Sequence, residues 1–349
     1  MPSAPRVFIN MSMVVCRAPF RVSFFGGGSD YPEWFRDEPG AALSTTIDKY
    51  IYITCRYLPP FLGTKHRVVW RYVEQVDSIG EILHPAVREG LRYLNFDDSL
   101  GIELHYQGDL PSRVGMGSSS TFVVALLKAL TGLRGLKADQ QKIAEMAIEL
   151  EQVRMKETVG SQDQVAAAFG GLNVINFHQN GRFDVNPLDL SPERERELSS
   201  NLMLFFPGRS RFSSDQALSV TQNLPNRVAE IRRMVAMVRE GEAILRHGDL
   251  MDFGRMLHET WQLKRCLSDR VSSPEIDDLY DRARRAGAVG GKLLGAGGTG
   301  FVLLYVPREC RAAVIDALTP QCVNVPFALE REGVRTVHQS NNVILPNDG

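Results

Sequence analysis

The chain has 349 residues, of which 44% are hydrophobic and 23% charged, with 40 Lys and Arg against 41 Asp and Glu for a net charge of -1. Such a length provides apolar residues for two domains or one large one, and so neutral a balance offers no field to gather nucleic acid or an anionic membrane. Cys16, Cys55, Cys266, Cys310 and Cys322 are scattered without a CxxC pair, and no apolar run approaches the roughly 18 residues of a membrane span. These features argue against a disulfide framework, a zinc knuckle or a membrane helix. With no secretory leader pattern, the expectation is a cytoplasmic protein with neither nucleic acid nor membrane as partner.

Met1 to Asn10 reads as an extension before Met11 or Met13. Val14 to Phe25 alternates apolar and polar residues after Pro19 and predicts a half-buried strand. It runs into Gly26-Gly27-Gly28-Ser29-Asp30, where three glycines read either as a flexible loop or as the tight wall of a small-molecule pocket, with Arg21 and Asp30 at its two ends. Strands are expected at 41–47, 51–57, 68–73 and 101–106, and a helix over 79–94.

The run Asp109 to Thr121 then passes through Gly115-Met116-Gly117-Ser118-Ser119-Ser120 into an apolar helix striped by Val123, Leu126, Leu127 and Leu130. A Gly/Ser turn that opens a helix presents backbone N–H groups at the positive end of the helix dipole. The serines can cap that helix, bind phosphate oxygens or ligate a hard cation. Two glycines with three hydroxyls favour phosphate over an ordinary cap.

Asp139 is placed to cap a helix running to about Lys156, with Glu145, Glu149, Gln152 and Lys156 on its polar side. Glu151 falls instead with Ala144, Ala147 and Met155 on the inward face, where a carboxylate is costly unless paired with a cation or metal. Ser161-Gln162-Asp163-Gln164 opens a further small-residue helix. The charged stretch 187–200 is the best domain boundary, giving domains of 11–195 and 196–349. A strand at 201–206, helices at 228–246, 250–267 and 274–286, a strand at 301–306, a helix at 308–318 and strands near 322–327 and 334–338 complete the reading.

Gly295 to Gly300 satisfies GxGxxG, but a strand follows where a dinucleotide fold needs a helix, so that fingerprint fails. A Walker A loop and the protein-kinase signatures are absent as well.

Three blocks, Ala18 to Asp30, Gly115 to Ser120 and Lys292 to Gly300, resemble motifs 1, 2 and 3 of the galactokinase/homoserine kinase/mevalonate kinase/phosphomevalonate kinase (GHMP) superfamily. The resemblance implies an α+β protein: an N-terminal domain like ribosomal protein S5 domain 2, a ferredoxin-like C-terminal domain, and ATP between them. Arg17-Ala18-Pro19-Phe20-Arg21-Val22 with the Gly/Ser/Asp turn, Gly160 to Gln164, Gly170 to Asn173 and His258 to Arg265 are together similar to the D-glycero-D-manno-heptose 7-phosphate 1-kinases. Galactokinases carry an acidic residue where Gly27 stands, and Ser120 takes a place where Ala is usual.

That family implies Asp163 as acceptor of the sugar hydroxyl proton, Arg21 as its cationic partner, and a cradle for the ATP phosphates in Gly115, Met116, Gly117, Ser118, Ser119 and Ser120. It implies Glu151 with Ser118 or Ser119 as ligands for Mg²⁺. Asp30, Gly27, Gly28 and Ser29 would bind the sugar, with Gly297 and Gly298 closing from the second domain and adenine near 76–84. For the 7-phosphate, Lys264 and Arg265 are nominated as the cationic receptor, against a solvated basic helix end; Arg209 and Arg211 compete. The implied activity is phosphorylation of the anomeric hydroxyl of the heptose 7-phosphate with MgATP, for surface polysaccharide synthesis. A kinase for an unphosphorylated sugar such as fucose or galactose is the alternative within the fold. A catalytically silent nucleotide-binding regulator is the alternative outside it, and a homo-oligomer is left open.

Overall fold

The computed structural model describes residues 9–10, 12–112, 115–208, 214–298, 300–319, 321–340 and 343–344. Arg209 and Arg211, proposed above as phosphate receptors, lie outside the described residues.

The first sheet grows from β1 (Met13–Phe25) and β2 (Gly40–Leu58), antiparallel from Met13 against Arg56 to Phe25 against Leu43. β2 is one strand of 19 residues where two were expected. Its polar centre, Asp48 and Lys49, marks a change of neighbour rather than a break. Beyond it the strand pairs with β3 (Gly101–Gly108).

α1 (Ser118–Leu133) lies against β1 and β2 and under α2 (Gln140–Ile148) and α3 (Gln162–Phe169). Covered along most of its length, it buries Ser120 through Leu127 without interruption, so the expected stripe is widened to nearly the full circumference, with Ser119 left exposed at its start. Asp139 caps α2 by accepting the N–H of Lys142 at 2.8 Å. The predicted helix does not stay α-helical to Lys156: it widens into a π-helical turn over Glu149–Arg154, and Lys156 has φ 56°. β4 (Asn173–Phe177) pairs with the first half of β2.

The charged boundary segment forms the helix Pro192–Asn201. After it comes β5 (Leu202–Phe206), then α4 (Val228–His247), α5 (Leu250–Arg265) and a helix at Pro274–Arg285. β6 (Gly290–Leu293), β7 (Val302–Tyr305), the helix Arg311–Leu318 and a short strand Val323–Asn324 complete a second sheet. All its pairs are antiparallel, in the spatial order β6, β7, β5, Val323–Asn324. A βαββαβ succession with that order is the ferredoxin-like arrangement the resemblance implied.

The chain then returns. β8 (Arg335–Ser340) pairs with β1, and Leu329–Glu330 pairs with β2. A division into 11–195 and 196–349 therefore needs correction at its far end, because the first sheet takes two strands from the last segment. Phe253 of α5 packs edge-on against Phe24 and Phe25 of β1, each at 5.1 Å between ring centres, and joins the halves.

Ending the chain after residue 328 should leave β1 with an unpaired edge over Val14 and Cys16. The expected outcome is a lower urea midpoint or loss of a single cooperative transition by circular dichroism. An unchanged midpoint would show that the returning strands are dispensable.

Candidate active site

The turn before α1 is built by close backbone approach. Gly115 and Gly117 have φ of 76° and 71°, a region that side chains rarely adopt. A Cβ on Gly115 would overlap the Leu294 carbonyl of the second domain, and one on Gly117 would sit 2.9 Å from Asp163 Oδ2. α1 has Gly117 as its N-cap, with no side chain to supply a cap, so the ordinary serine cap weighed against phosphate binding is not what forms. Its first turn stays open to a ligand, as an anion site requires. Met116 is fully buried and lines neither of the two cavities described below, so of the expected Gly115–Ser120 set it is the one that shapes the turn from inside.

Arg21 from β1 and Asp163 from the first turn of α3 form a forked ion pair. Nε donates to Oδ1 at 2.6 Å and Nη2 to Oδ2 at 2.7 Å, while Nη1 donates to the Gly115 carbonyl at 2.9 Å. Arg21 is buried, whereas the Asp163 side chain keeps 23% exposure toward the cavity. Asp30 accepts the backbone N–H groups of Gly28 at 3.1 Å and Gln162 at 3.3 Å. Burial, then the nearby Asp163, push its carboxyl up to about 6.

Glu151 is wholly buried, projecting from the π turn toward the start of α1. It accepts Gln164 Nε2 at 2.6 Å and Ser119 Oγ at 3.3 Å, with Ser120 a further hydroxyl partner. Burial raises it to about 7, against the lowering effect of those hydrogen bonds. A carboxylate backed by hydroxyls is a hard-oxygen set of the kind Mg²⁺ takes, so these residues fit that ion. Among the described residues no cluster of three or more acidic, His or Cys side chains could hold a metal unaided. The phosphates of a nucleotide would have to complete the shell.

Two cavities meet at Ser118, Ser119 and Glu157, which line both. One, of about 320 Å³, is bounded by Arg21, Asp30, Asp163, Gln162, Lys264 and Lys292. The other, of about 1110 Å³, has an aromatic wall of Trp70, Tyr106 and Phe122 with His84. Of the 76–84 segment nominated for adenine, only His84 reaches it.

Four expected sugar contacts need revision. Ser29 is fully buried, and its hydroxyl is engaged with Gly26 and Ala41 backbone atoms, so it shapes the glycine turn rather than facing the cavity. Arg265 points away: it is paired with Asp277 at 3.0 Å on the outer side of α5. Gly297 packs on Val271 and lines neither cavity, while Gly298 lines the larger one. Gly27, Gly28, Asp30 and Lys264 do line the smaller one. Sequence reasoning missed Lys292, Ser23 and Gln162, which line the same cavity. Lys292 opens the third motif block, and Gln162 sits beside Asp163, so both were within quoted motifs.

Lys264 donates to the carbonyls of Leu293 at 2.7 Å and Gly295 at 2.5 Å. Burial, followed by Arg21, lowers its ammonium to about 7.

With this geometry in view, two family models match. One described as "GHMP kinases N terminal domain" covers residues 81–171, and one described as "GHMP kinases C terminal" covers residues 242–318. The D-glycero-alpha-D-manno-heptose 7-phosphate kinase of Campylobacter jejuni is 28% identical across 93% of this chain and 99% of its own length. A galactokinase of Pyrococcus furiosus is 25% identical across 88% of this chain and 93% of its own. A solved D-glycero-D-manno-heptose 1-phosphate kinase from Bacteroides thetaiotaomicron superposes with a TM-score of 0.77 at 24% identity, covering 93% of this chain and 99% of that one. The two-domain fold is that of the kinases it matches. The chain belongs to the GHMP kinase superfamily.

The lowered Lys264 ammonium gives a pH prediction. Its folded pKa lies below the unfolded value of 10.5, so between pH 7 and 10.5 the unfolded chain holds the extra proton. The cost of burying the charge is then greatest below pH 7 and fades as pH rises. Lys264→Met should therefore gain in melting temperature, relative to the parent, more at pH 6 than at pH 9. An equal difference at both pH values would contradict it.

Proposed function

We propose that the chain transfers the γ-phosphoryl group of ATP to the anomeric hydroxyl of D-glycero-D-manno-heptose 7-phosphate. The product, a 1,7-bisphosphate, would feed nucleotide-activated heptose for surface polysaccharide. The observation that carries this reading is the meeting of the aromatic and polar cavities at the Ser118–Ser119 turn, with the Arg21–Asp163 pair bordering the polar one. The base and ribose would occupy the larger cavity and the sugar the smaller. The name of the Campylobacter relative, together with a glycine at position 27, supports a heptose phosphate over galactose. A cytoplasmic place of action accords with five unpaired cysteines.

Phosphoryl transfer asks mainly for positioning and charge neutralisation. The N–H groups that open α1 would receive the phosphates. Glu151 and Ser119 or Ser118 would hold Mg²⁺, which neutralises phosphate charge when bound. Asp163, oriented by the Arg21 fork, accepts the proton of the sugar hydroxyl as its oxygen bonds to the γ-phosphorus and the bond to the ADP oxygen breaks. Arg21 also lies where charge on the transferring group can be met. Asp30, fixed by two backbone N–H groups, accepts a sugar hydroxyl.

Asp163→Asn should fold and bind ATP within a few-fold of the parent, yet lose about 10²–10⁴-fold in kcat with heptose 7-phosphate. A coupled assay for ADP measures it, and unimpaired turnover would remove Asp163 from the chemistry.

A further inference from the structure

The smaller cavity holds two lysines, both from the second domain: Lys264 on α5 and Lys292 on β6. Lys292 is only 2% exposed. Its ammonium makes one hydrogen bond, to the carbonyl of Phe24 at 2.9 Å, although an ammonium carries three donors. Among the described residues neither lysine forms an ion pair. Of the three carboxylates that line the cavity, Asp163 is engaged with Arg21 and Asp30 with two backbone N–H groups, while Glu157 stands at the junction with the larger cavity and pairs with neither lysine among the described residues.

Buried polar groups are nearly always satisfied, and a buried charge without a counter-charge is expensive. Two such charges in one small cavity compound the cost, since each repels the other. A neutral hydroxyl would accept the spare N–H groups but leave both charges uncompensated. A phosphate monoester does both, offering several acceptor oxygens and a double negative charge. Ser23 Oγ and Gln162 Oε1, each buried in the same wall and without a hydrogen-bond partner, remain for the neutral hydroxyls of the acceptor.

We propose that Lys292, acting with Lys264, receives the phosphate monoester carried by the acceptor and sets the preference for phosphorylated over unphosphorylated sugars. The inference rests on the sugar-phosphate reading above and replaces the Lys264–Arg265 pair with one drawn from two elements. Desolvation, followed by Lys264 and Arg21, holds the Lys292 ammonium well below the usual lysine range, in keeping with a site that an arriving dianion would recharge.

The test is steady-state kinetics of the full chain and of Lys292→Met, with heptose 7-phosphate and with unphosphorylated heptose. Methionine fills the lysine volume, and removal of a buried charge in favour of an apolar side chain is often tolerated. The expected result is a rise of about ten-fold or more in KM for the sugar phosphate, kcat within roughly three-fold, and an unchanged KM for ATP. Inorganic phosphate should compete with the sugar phosphate in the parent and compete less well against Lys264→Met, a readout that stands even if Lys292→Met fails to fold. An unchanged sugar-phosphate KM, a loss confined to kcat, a raised KM for ATP, or absence of competition by phosphate would each overturn the proposal while leaving the kinase reading intact. A parent enzyme that turns over only unphosphorylated sugars would instead overturn the sugar-phosphate reading, and this proposal with it.

Discussion

The arrangement depends on two glycines that let backbone touch backbone. Gly115 lies against Leu294 and Gly295 of the second domain with no room for a side chain, and Gly117 lies against the carboxylate of Asp163. Because Arg21 donates both to Asp163 and to the carbonyl of Gly115, the cation is tied to the same turn. One steric constraint thus sets the height of the turn that opens α1, the position of the Arg21–Asp163 pair and the spacing of the domains. A methyl group at either glycine would move all three together, since a left-handed backbone and a tight contact are violated at once.

Around that turn the charges are deeper than stability alone would favour. Glu151, Asp30, Lys264 and Lys292 are each shifted toward their neutral forms, with burial the largest cause in every case. Replacing such groups with well-packed apolar side chains often leaves a protein as stable or more so. Their retention is understandable if they act at the moment charged ligands enter a dry site, where each interaction is stronger than in water. The first domain contributes the acidic groups and Arg21, and the second contributes the lysines. Acidic and basic groups from the two halves thus line one cavity.

Much of this was legible in the chain, and for local reasons. The glycine turns and the Asp139 cap are short-range patterns, and so they read correctly, whereas β1 is a strand as expected but not half-buried after Pro19, since Arg21 and Ser23 are buried along with Phe20, Val22 and Phe24. The pairing of Arg21 with Asp163 spans 142 residues and became visible only through the resemblance. The aromatic wall of the larger cavity draws on two loops, a strand and a helix, a juxtaposition without any sequence period. Lys264 and Arg265 illustrate the intermediate case. A basic pair looks symmetrical, yet one residue of helix turns the side chain by about 100°. Trp261 and Lys264 are three apart and share the buried face, whereas Arg265 falls outside it. The three-residue spacing from the buried Trp261 is the signal in the chain that separates the two.

The π turn at Glu149–Arg154 is the place where local expectation fails most instructively. Its sequence has ordinary helix formers throughout, and a regular α-helix to Lys156 was the natural reading. Instead the backbone widens, with the N–H of Met155 bonding to the carbonyl of Leu150 at 2.9 Å. The N–H of Glu157 then returns to the carbonyl of Glu151 at 2.9 Å, and Lys156 adopts a left-handed backbone. Those departures bring residues 157–160 across the mouth of the smaller cavity, which they line. They also leave Glu151 aimed at the start of α1 with its hydroxyl and amide partners. Wide turns of this kind recur at functional sites, and broken local rules tend to gather where chemistry demands a geometry that regular helices do not supply. The irregularity is therefore part of how a helix residue reaches the ligand-facing side of the fold.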